Sequence, residues 1–128
     1  MTIERIPSSF ASFSETVSIS GPGTWIHISG QVGFNEAGDG VVDGGVGPQS
    51  QVIFDQIESL LAKSGADLSH VVKLNVFMTD LGEYGEFSAV RTERFPADPP
   101  ASAAVAVADL LLGAAIEIDG VAFLPDAG

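Results

Sequence analysis

The first candidates for chemistry are two carboxylates near the C-terminus. Glu117 lies between Ile116 and Ile118 on a predicted strand, and Asp119 follows two residues later. Because side chains two residues apart on a strand point to the same face, both carboxylates are expected on one side of a sheet. Solvent-exposed acids give the same pattern, whereas a glutamate that lines a cleft can act as a general acid or base. The residues alone leave both interpretations open.

Positive charges are scarce in this chain. It has five Lys and Arg residues against 17 Asp and Glu, which gives a net charge of −12. Such a field repels polyphosphates unless basic residues cluster locally, so we expect no nucleic-acid partner. Arg91 and Arg94 are close in sequence, and on a helix they occupy neighbouring positions of one face. They either pair with nearby acids such as Glu83, Glu86 and Glu93 or supply a cation to a pocket.

Nucleophilic and metal chemistry has little support. The chain has no cysteine, which excludes thiolate ligands and a cysteine nucleophile. Its two histidines, His27 and His70, form no Ser-His pattern with Ser102, and they are too far apart to bind a metal without further ligands. We therefore predict no metal site. His27 either packs on a sheet or lines a pocket, and Ser102 either binds a polar ligand or lets two backbones approach.

These residues must be positioned by a small set of elements. The β-favouring runs 16–20 and 25–29 flank Gly21-Pro22-Gly23, which predicts a hairpin. Apolar residues at three- and four-residue spacing predict a helix from Pro48 to Gly65. The other predicted elements are a strand over 71–79, a helix over 81–95, and strands over 102–107 and 114–123. Two helices are too few for a doubly wound sheet. We therefore predict one α+β domain, 1–128, with a mostly antiparallel sheet and both helices on one face.

One layer of helices leaves the other face of the sheet uncovered. Small apolar residues expected on that face include Ala104 and Ala106, which favours cover by further subunits in a closed homo-oligomer. Residues 1–7 lack the order of a secretory signal, and no apolar run approaches the roughly 20 residues that span a bilayer. We therefore expect no membrane association and a cytoplasmic location.

Three segments together resemble the RidA/YjgF family of reactive-intermediate deaminases, over the range from about Phe13 to Phe123. They are Ser29-Gly30-Gln31 at a strand end, the run VVKLNVFMTDL over 71–81, and Pro99-Pro100-Ala101 followed by Ile116-Glu117-Ile118-Asp119. The resemblance implies a chorismate-mutase-like fold and a barrel-forming homotrimer with ligand clefts between subunits. It also implies hydrolysis of 2-imino and enamino acids, such as 2-aminoacrylate, to 2-oxo acids and ammonia without a cofactor.

Position by position, the resemblance assigns a role to three residues. Glu117 matches the glutamate that positions the attacking water. Ser29 and Gly30 match residues of the ligand cleft.

Three other positions depart from the family pattern. Ser102 stands where active members carry the arginine that binds the substrate carboxylate, because the chain reads Pro-Pro-Ala-Ser in place of Pro-Pro-Ala-Arg. Phe13 stands where an aromatic hydroxyl is often found, and Arg91 stands where the second helix carries an asparagine. A serine offers one neutral donor where a guanidinium offers two parallel donors and a permanent charge. Loss of such a carboxylate partner costs about 2–5 kcal/mol.

The sequence therefore favours a divergent RidA-like protein that binds a small, neutral or weakly anionic metabolite in a cleft walled by Ser29, Gly30, Ser102 and Glu117. If it is an enzyme, Glu117 is the acid or base that hydrolyses or tautomerises an imine, enamine or related carbonyl compound. One alternative is an imino acid deaminase with another carboxylate anchor, such as Arg91. Another is a non-enzymatic ligand-binding or regulatory protein. Ribonuclease activity, also attributed to this family, is disfavoured by the negative charge.

Overall fold

The computed structural model describes residues 2–10 and 12–127. Strands and helices alternate irregularly along this part of the chain. In chain order they are β1 (Thr2–Pro7), β2 (Ser14–Ser20), β3 (Gly23–Gln31), α1 (Val46–Ala62), β4 (Val71–Met78), α2 (Tyr84–Arg94), β5 (Ala101–Ala106) and β6 (Ile116–Pro125). Short 3₁₀ turns at Leu68–His70, Leu81–Glu83 and Leu111–Gly113 precede β4, α2 and β6.

The strands form one mixed sheet in the order β1-β2-β5-β4-β6-β3. The pairs β1–β2, β3–β6 and β4–β6 are antiparallel, whereas β5 lies parallel to both β2 and β4. Both helices contribute to a single apolar core against one face of this sheet. The predicted α+β architecture is therefore confirmed.

The predicted hairpin between the second and third strands is wrong. β2 ends at Ser20 and β3 begins at Gly23, as the turn residues suggest, but β5, β4 and β6 lie between them in the sheet. β2 pairs instead with β1, a strand that no local pattern predicted, and with β5 at Ser14. Glycine and proline determine where a strand ends, whereas its partner depends on which faces meet in the core.

Helix α1 provides much of the apolar cover of the sheet. The helix begins two residues before Pro48, which lies in its first turn, and ends three residues before Gly65. Its fully buried apolar residues include Ile53, Phe54, Ile57 and Leu61. The predicted helix is therefore present, but its buried face differs in part from the predicted stripe, because Leu60, which the spacing placed on that stripe, is 42% exposed.

Strand β4 shows which side chains face the helices. Leu74 and Val76 are buried in the core, and the residues between them face the opposite side of the sheet. Ser102 pairs with Leu74 and Ala104 pairs with Val76, so both β5 residues face the helices. Glu117 pairs with Phe77, three residues after Leu74, and therefore faces away from the helices.

This register corrects the expectation for the uncovered face. Ala104 and Ala106 lie on the helix side of β5, and Ala104 packs against the core. Ala103 and Val105 occupy the other side, where Val105 is 49% exposed. The expectation was wrong because the register of β5 against β4 decides which of its residues face the helices, and a shift of one residue exchanges the two faces.

The helices of the structure are too short or too polar to cross a bilayer, as judged over residues 2–10 and 12–127.

Candidate functional site

One arginine lies inside the protein, where α2 packs against β5. Arg91 is only 1% exposed. Its Nη1 donates a hydrogen bond to Oγ of Ser102 at 3.1 Å, and its Nη2 donates to Oη of Tyr84 at 3.0 Å and to Oγ of Ser88 at 3.5 Å. Tyr84, Ser88 and Arg91 share a helix face because they are four and three residues apart. A guanidinium thus lies beside Ser102, and the premise of a pocket without a cation was wrong.

Three aromatic rings surround this guanidinium. Cζ of Arg91 lies 5.2 Å from the ring centroid of Phe13, 5.6 Å from that of Tyr84 and 5.0 Å from that of Phe87. All three distances fall within the range of about 6 Å over which an aromatic face attracts a cation. We call the set of Phe13, Tyr84, Phe87, Ser88, Arg91 and Ser102 the arginine cage.

The N-terminal segment closes the arginine cage. Phe13 precedes β2, and Ser12 beside it shares a hydrogen bond of 2.6 Å with the hydroxyl of Thr92 on α2. This contact ties the segment to the helix that carries Arg91. Access to the guanidinium therefore depends on the position of the Phe13 ring.

The positive charge in the arginine cage has no carboxylate partner among the residues that the structure describes. In the described part of the chain, the ion pair formed by an arginine is Arg94–Asp55 at 2.6 Å, and it does not include Arg91. Nε of Arg91 is buried with no hydrogen-bond partner among the same residues. Hydroxyl groups and rings offset only part of the cost of removing a guanidinium from water. An anion would offset the rest, so the cage is suited to bind a carboxylate.

A second candidate site lies around Glu117 on β6. Gly30, near the end of β3, approaches so closely that a Cβ at this position would lie 2.6 Å from Oε2 of Glu117. The pairing of β3 with β6 shifts register between Ile28 and Gln31, which places Ser29 and Gly30 in a bulge. The structure thus brings Gly30 and Glu117 together, and glycine leaves room for the carboxylate. We call this group, with the cavity beside it, the glutamate cleft.

The cavity of the glutamate cleft has a volume of about 330 Å³. It is lined by Glu117 together with Asp109, Leu110 and Leu111 from the loop that precedes β6. Asp119, on the same strand face as Glu117, accepts a hydrogen bond of 2.7 Å from Nδ2 of Asn75. Asp119 is therefore held by its neighbour on β4, whereas Glu117 faces the cavity.

The arginine cage and the glutamate cleft lie on opposite faces of one sheet. Ser102 faces the helices with Leu74, whereas Glu117 shares the other face with Phe77. Within one subunit the sheet therefore separates Arg91 from Glu117. A single cleft with both groups in its wall requires a second copy of the chain.

The remaining sequence candidates, His27, Ser29 and His70, line other cavities or cap other elements. His27 and Ser29 line a separate cavity of about 400 Å³ with Leu60. His70 accepts the backbone N–H of Asp67 at Nδ1, 3.0 Å away, and completes a capping box.

Arg94 links the two helices. Its guanidinium donates to Oδ1 of Asp55 and to Oε1 and the backbone carbonyl of Gln51 on α1. Arg94 therefore has a carboxylate partner, unlike Arg91. Across residues 2–10 and 12–127 no three His, Cys, Asp or Glu side chains cluster closely enough to hold a metal ion.

Tyr84 and Ser88 were not among the sequence candidates. Their signal is the spacing to Arg91, which they precede by seven and three residues on one helix face. Ser102 was singled out, but its contact with Arg91 depends on how α2 lies across β5. No spacing in the sequence specifies that contact.

Comparison with known proteins identifies the family to which the chain belongs. A family model described as endoribonuclease L-PSP matches residues 3–124. Protein DfrA of Myxococcus xanthus is 34% identical over 119 residues, which cover 93% of this chain and 90% of that protein. The human protein named 2-iminobutanoate/2-iminopropanoate deaminase is 30% identical over 118 residues, covering 92% of this chain and 84% of its own.

Solved structures give the same result. The crystal structure of RidA from an Antarctic Psychrobacter has a TM-score of 0.74 at 29% identity, covering 97% of this chain and 99% of that one. A Rid protein of unknown function from Yersinia pestis, YyfB, reaches a TM-score of 0.80 at 28% identity, covering 97% and 100%. With a family model that spans nearly its whole length, the chain belongs to the RidA/YjgF family.

Proposed function

We propose that this protein hydrolyses 2-imino or enamino acids to 2-oxo acids and ammonia, with Arg91 in place of the missing family arginine. The observation that carries the proposal is the buried guanidinium of Arg91, 3.1 Å from Ser102 and without a carboxylate partner among the described residues. Relatives named 2-iminobutanoate/2-iminopropanoate deaminase support the reaction class. This choice replaces the preference for a neutral ligand, because that preference assumed that no cation was present.

The arginine cage leaves hydrogen-bonding capacity for a substrate carboxylate. A guanidinium has five N–H groups, and the partners of Arg91 are three neutral hydroxyls. Since none of these partners is an anion, the positive charge is available to the substrate. Ser102 accepts from Arg91 and can donate its own hydroxyl hydrogen to the same carboxylate. Binding requires the Phe13 ring to move aside, because Arg91 is 1% exposed when that ring covers it.

Glu117 is proposed as the acid and base of the reaction. Its carboxylate takes a proton from water as the water oxygen bonds to the imine carbon and the C=N electron pair moves to nitrogen. Glu117 then transfers that proton to nitrogen, takes up the hydroxyl proton and passes it to the nitrogen as well, which leaves its own carboxylate ionised as at the start. The C–N bond breaks, ammonia leaves and the 2-oxo acid forms. An enamine first takes up a proton on carbon to give the imine.

The proposed active unit is a homotrimer. Because the arginine cage and the glutamate cleft lie on opposite sheet faces, Glu117 would meet the Arg91 of a neighbouring subunit. The uncovered face with Ala103 and Val105 gives neighbouring copies an apolar contact surface. Sedimentation or native mass measurement tests the trimer directly. The cytoplasmic location stays a prediction, and one relative is named as mitochondrial.

The test measures pyruvate formed from enzymatically generated 2-aminoacrylate. We expect the wild-type protein to accelerate this reaction. Arg91→Gln should lower kcat/KM by about 30- to several-thousand-fold, the effect of removing a carboxylate partner worth about 2–5 kcal/mol. Arg91→Lys should recover only part of the loss, because an ammonium lacks the bidentate geometry of a guanidinium.

Arg94→Gln is the matched control. It removes an arginine from the same helix, but one that pairs with Asp55 on α1. Its kcat/KM should stay near the wild-type value. Equal activity of Arg91→Gln and wild type would show that Arg91 is a structural cation, and absence of acceleration by the wild type would exclude the deaminase.

A second candidate is a binding protein without turnover, and the closure of the arginine cage favours it. With three rings and three hydroxyls around it, Arg91 can also serve to hold α2 against β5. A small neutral metabolite would then bind in the glutamate cleft without being converted. Thermal shift distinguishes the two, since a ligand at 100-fold its Kd adds about 2.7 kcal/mol. A carboxylate ligand that stabilises wild type but not Arg91→Gln favours the deaminase.

A further inference from the structure

Two nitrogen atoms of the Arg91 guanidinium, Nη1 and Nη2, donate hydrogen bonds within the described part of the chain. An arginine side chain is long and flexible, so burial alone does not fix the plane of its head group. Among the described residues Nε has no partner, and the partner of Nη1 is Oγ of Ser102 on β5, at 3.1 Å. A contact at one nitrogen leaves the group free to turn about that contact. The orientation of the guanidinium therefore depends on what holds Nη2.

The hydroxyl of Tyr84 makes the shorter of the two contacts at Nη2. Oη of Tyr84 accepts at 3.0 Å, whereas Oγ of Ser88 lies at 3.5 Å. N–H···O hydrogen bonds in proteins are about 2.7–3.2 Å long, so the contact with Ser88 is weak and the one with Tyr84 is not. Hydrogen bonds from a charged donor are also stronger than neutral ones. Tyr84 on α2 and Ser102 on β5 thus fix one Nη atom each, and together they define the plane of the guanidinium.

Tyr84 is itself held in place from two sides. It is the first residue of α2 and follows the 3₁₀ turn Leu81–Glu83, where the N–H of Gly82 donates to Oδ1 of Asp80 at 2.8 Å. Its half-buried ring packs against the core, with its centroid 5.9 Å from that of Phe87. Because the phenol oxygen lies in the plane of a rigid ring, a fixed ring also fixes Oη. The hydroxyl is therefore a firm anchor point.

We propose that Tyr84 is a positioning residue, which orients the guanidinium of Arg91 for a bidentate contact with the substrate carboxylate. This inference rests on the proposed function. Each Nη atom has a second N–H group, which is not used by the bond to Ser102 or Tyr84. These groups meet both carboxylate oxygens only when guanidinium and carboxylate are aligned, and a group that is oriented in advance loses less freedom on binding. Tyr84 therefore contributes to substrate affinity and not to the proton transfer by Glu117.

The first measurement observes the guanidinium without a ligand. Rotation about the Cζ–Nε bond exchanges Nη1 with Nη2, and NMR of protein labelled with nitrogen-15 arginine gives the rate of this exchange. Tyr84→Phe removes the hydroxyl and keeps the ring, so the rate at Arg91 should rise at least about tenfold, the effect of losing a hydrogen bond to a charged group. The signals of Arg94, whose partners Gln51 and Asp55 lie on α1, are the internal control and should not change. An unchanged rate at Arg91 would overturn the proposal.

The second measurement is steady-state kinetics with 2-aminoacrylate. Tyr84→Phe should raise KM about tenfold and change kcat less than about twofold, because the proton transfer by Glu117 does not involve Arg91. In an Arg91→Lys background the same substitution should leave KM unchanged, since an ammonium has no plane to be oriented. An equal rise of KM in both backgrounds would show that Tyr84 only supports the fold near the site, and the positioning role would then be wrong.

Failure of the proposed function gives a different result. If the wild type does not accelerate the hydrolysis of 2-aminoacrylate, the binding of pyruvate is measured by isothermal titration calorimetry. A Kd that rises about tenfold in Tyr84→Phe, but does not rise when the same change is made in Arg91→Lys, supports the positioning role in a binding protein. Equal Kd values for wild type and Tyr84→Phe, or no binding of pyruvate to the wild type, overturn it.

Discussion

The arginine cage and the glutamate cleft are opposite in their construction. The cage is closed: Arg91 is almost completely buried, held by three hydroxyls and faced by three rings. The cleft is open, and its carboxylate faces a cavity beside exposed leucines. A fixed cation in a dry environment binds a carboxylate strongly, whereas an acid–base group needs access to water. The difference is the one that the proposed division between carboxylate binding and proton transfer requires.

The largest expected effect is that of Glu117→Gln. The amide keeps the size of the side chain but cannot take up a proton, so kcat should fall by about 10²–10⁴-fold. KM should change little, because binding is assigned to the arginine cage. The measurement is steady-state kinetics with 2-aminoacrylate. A Glu117→Gln protein whose KM rises while kcat is unchanged would reverse the proposed division.

Arg91→Met separates affinity from stability. Methionine fills much of the same volume, and because Arg91 has no carboxylate partner among the described residues, its replacement leaves no buried charge unpaired. The free energy of unfolding should change by less than about 1.5 kcal/mol, while kcat/KM falls at least about 30-fold. Urea denaturation and kinetics on the same preparation test this pair of results. Strong destabilisation with normal activity would identify the cage as a structural element.

Gly30→Ala tests how the glutamate cleft holds its carboxylate. The new Cβ would lie 2.6 Å from Oε2 of Glu117, so the carboxylate must shift. We expect kcat to fall about tenfold, because proton transfer depends on geometry. The melting temperature should fall only slightly, since the displaced atom is the end of a flexible side chain. Gly38→Ala would be a poor control because of its positive φ, whereas Gly85→Ala meets nothing within 4 Å and serves well.

The smallest expected effect concerns a region outside both sites. The side-chain hydrogen bond from Ser69 holds the pKa of Asp67 below its usual value, despite opposing desolvation. A lowered pKa stabilises the fold above the unfolded value near 3.9, and this contribution is lost as pH falls through the lower folded value. Asp67→Ala should therefore cost about 0.5 kcal/mol at pH 7, the low end for an exposed cap. If Asp67→Ala lowered the free energy of unfolding equally at pH 7 and below pH 3, the ionised carboxylate of Asp67 would not be the source of this stability.

Much of the fold could be predicted because its signals are local. Helix α1 and the alternation in β4 follow from spacing alone and both are present, although Leu60 of the predicted stripe of α1 is exposed. The pairing of β2 with β1 could not be predicted, because Thr2–Pro7 has no pattern that distinguishes it from a loop. The side of the sheet that Ala104 faces could not be predicted either, because a register shift of one residue between β4 and β5 would reverse it.

The candidate site likewise has some residues that the sequence indicates and some contacts that only the fold determines. The resemblance supplied Glu117, Gly30 and Ser102, which are marked by short motifs. That Arg91 lies against Ser102 is a property of tertiary packing, because the two residues belong to a helix and a strand joined by an irregular segment. That Arg91 and Glu117 lie on opposite faces of the sheet likewise follows only from the register in which the strands pair.

The placement of Arg91 and Glu117 on opposite faces of one sheet has a consequence for mixtures. Arg91→Gln and Glu117→Gln proteins should each be strongly impaired alone. When the two variants are unfolded together and refolded, mixed assemblies should form. In these, one chain contributes the guanidinium of Arg91 and a neighbouring chain contributes the carboxylate of Glu117. Activity should then reappear by complementation between two defective polypeptides.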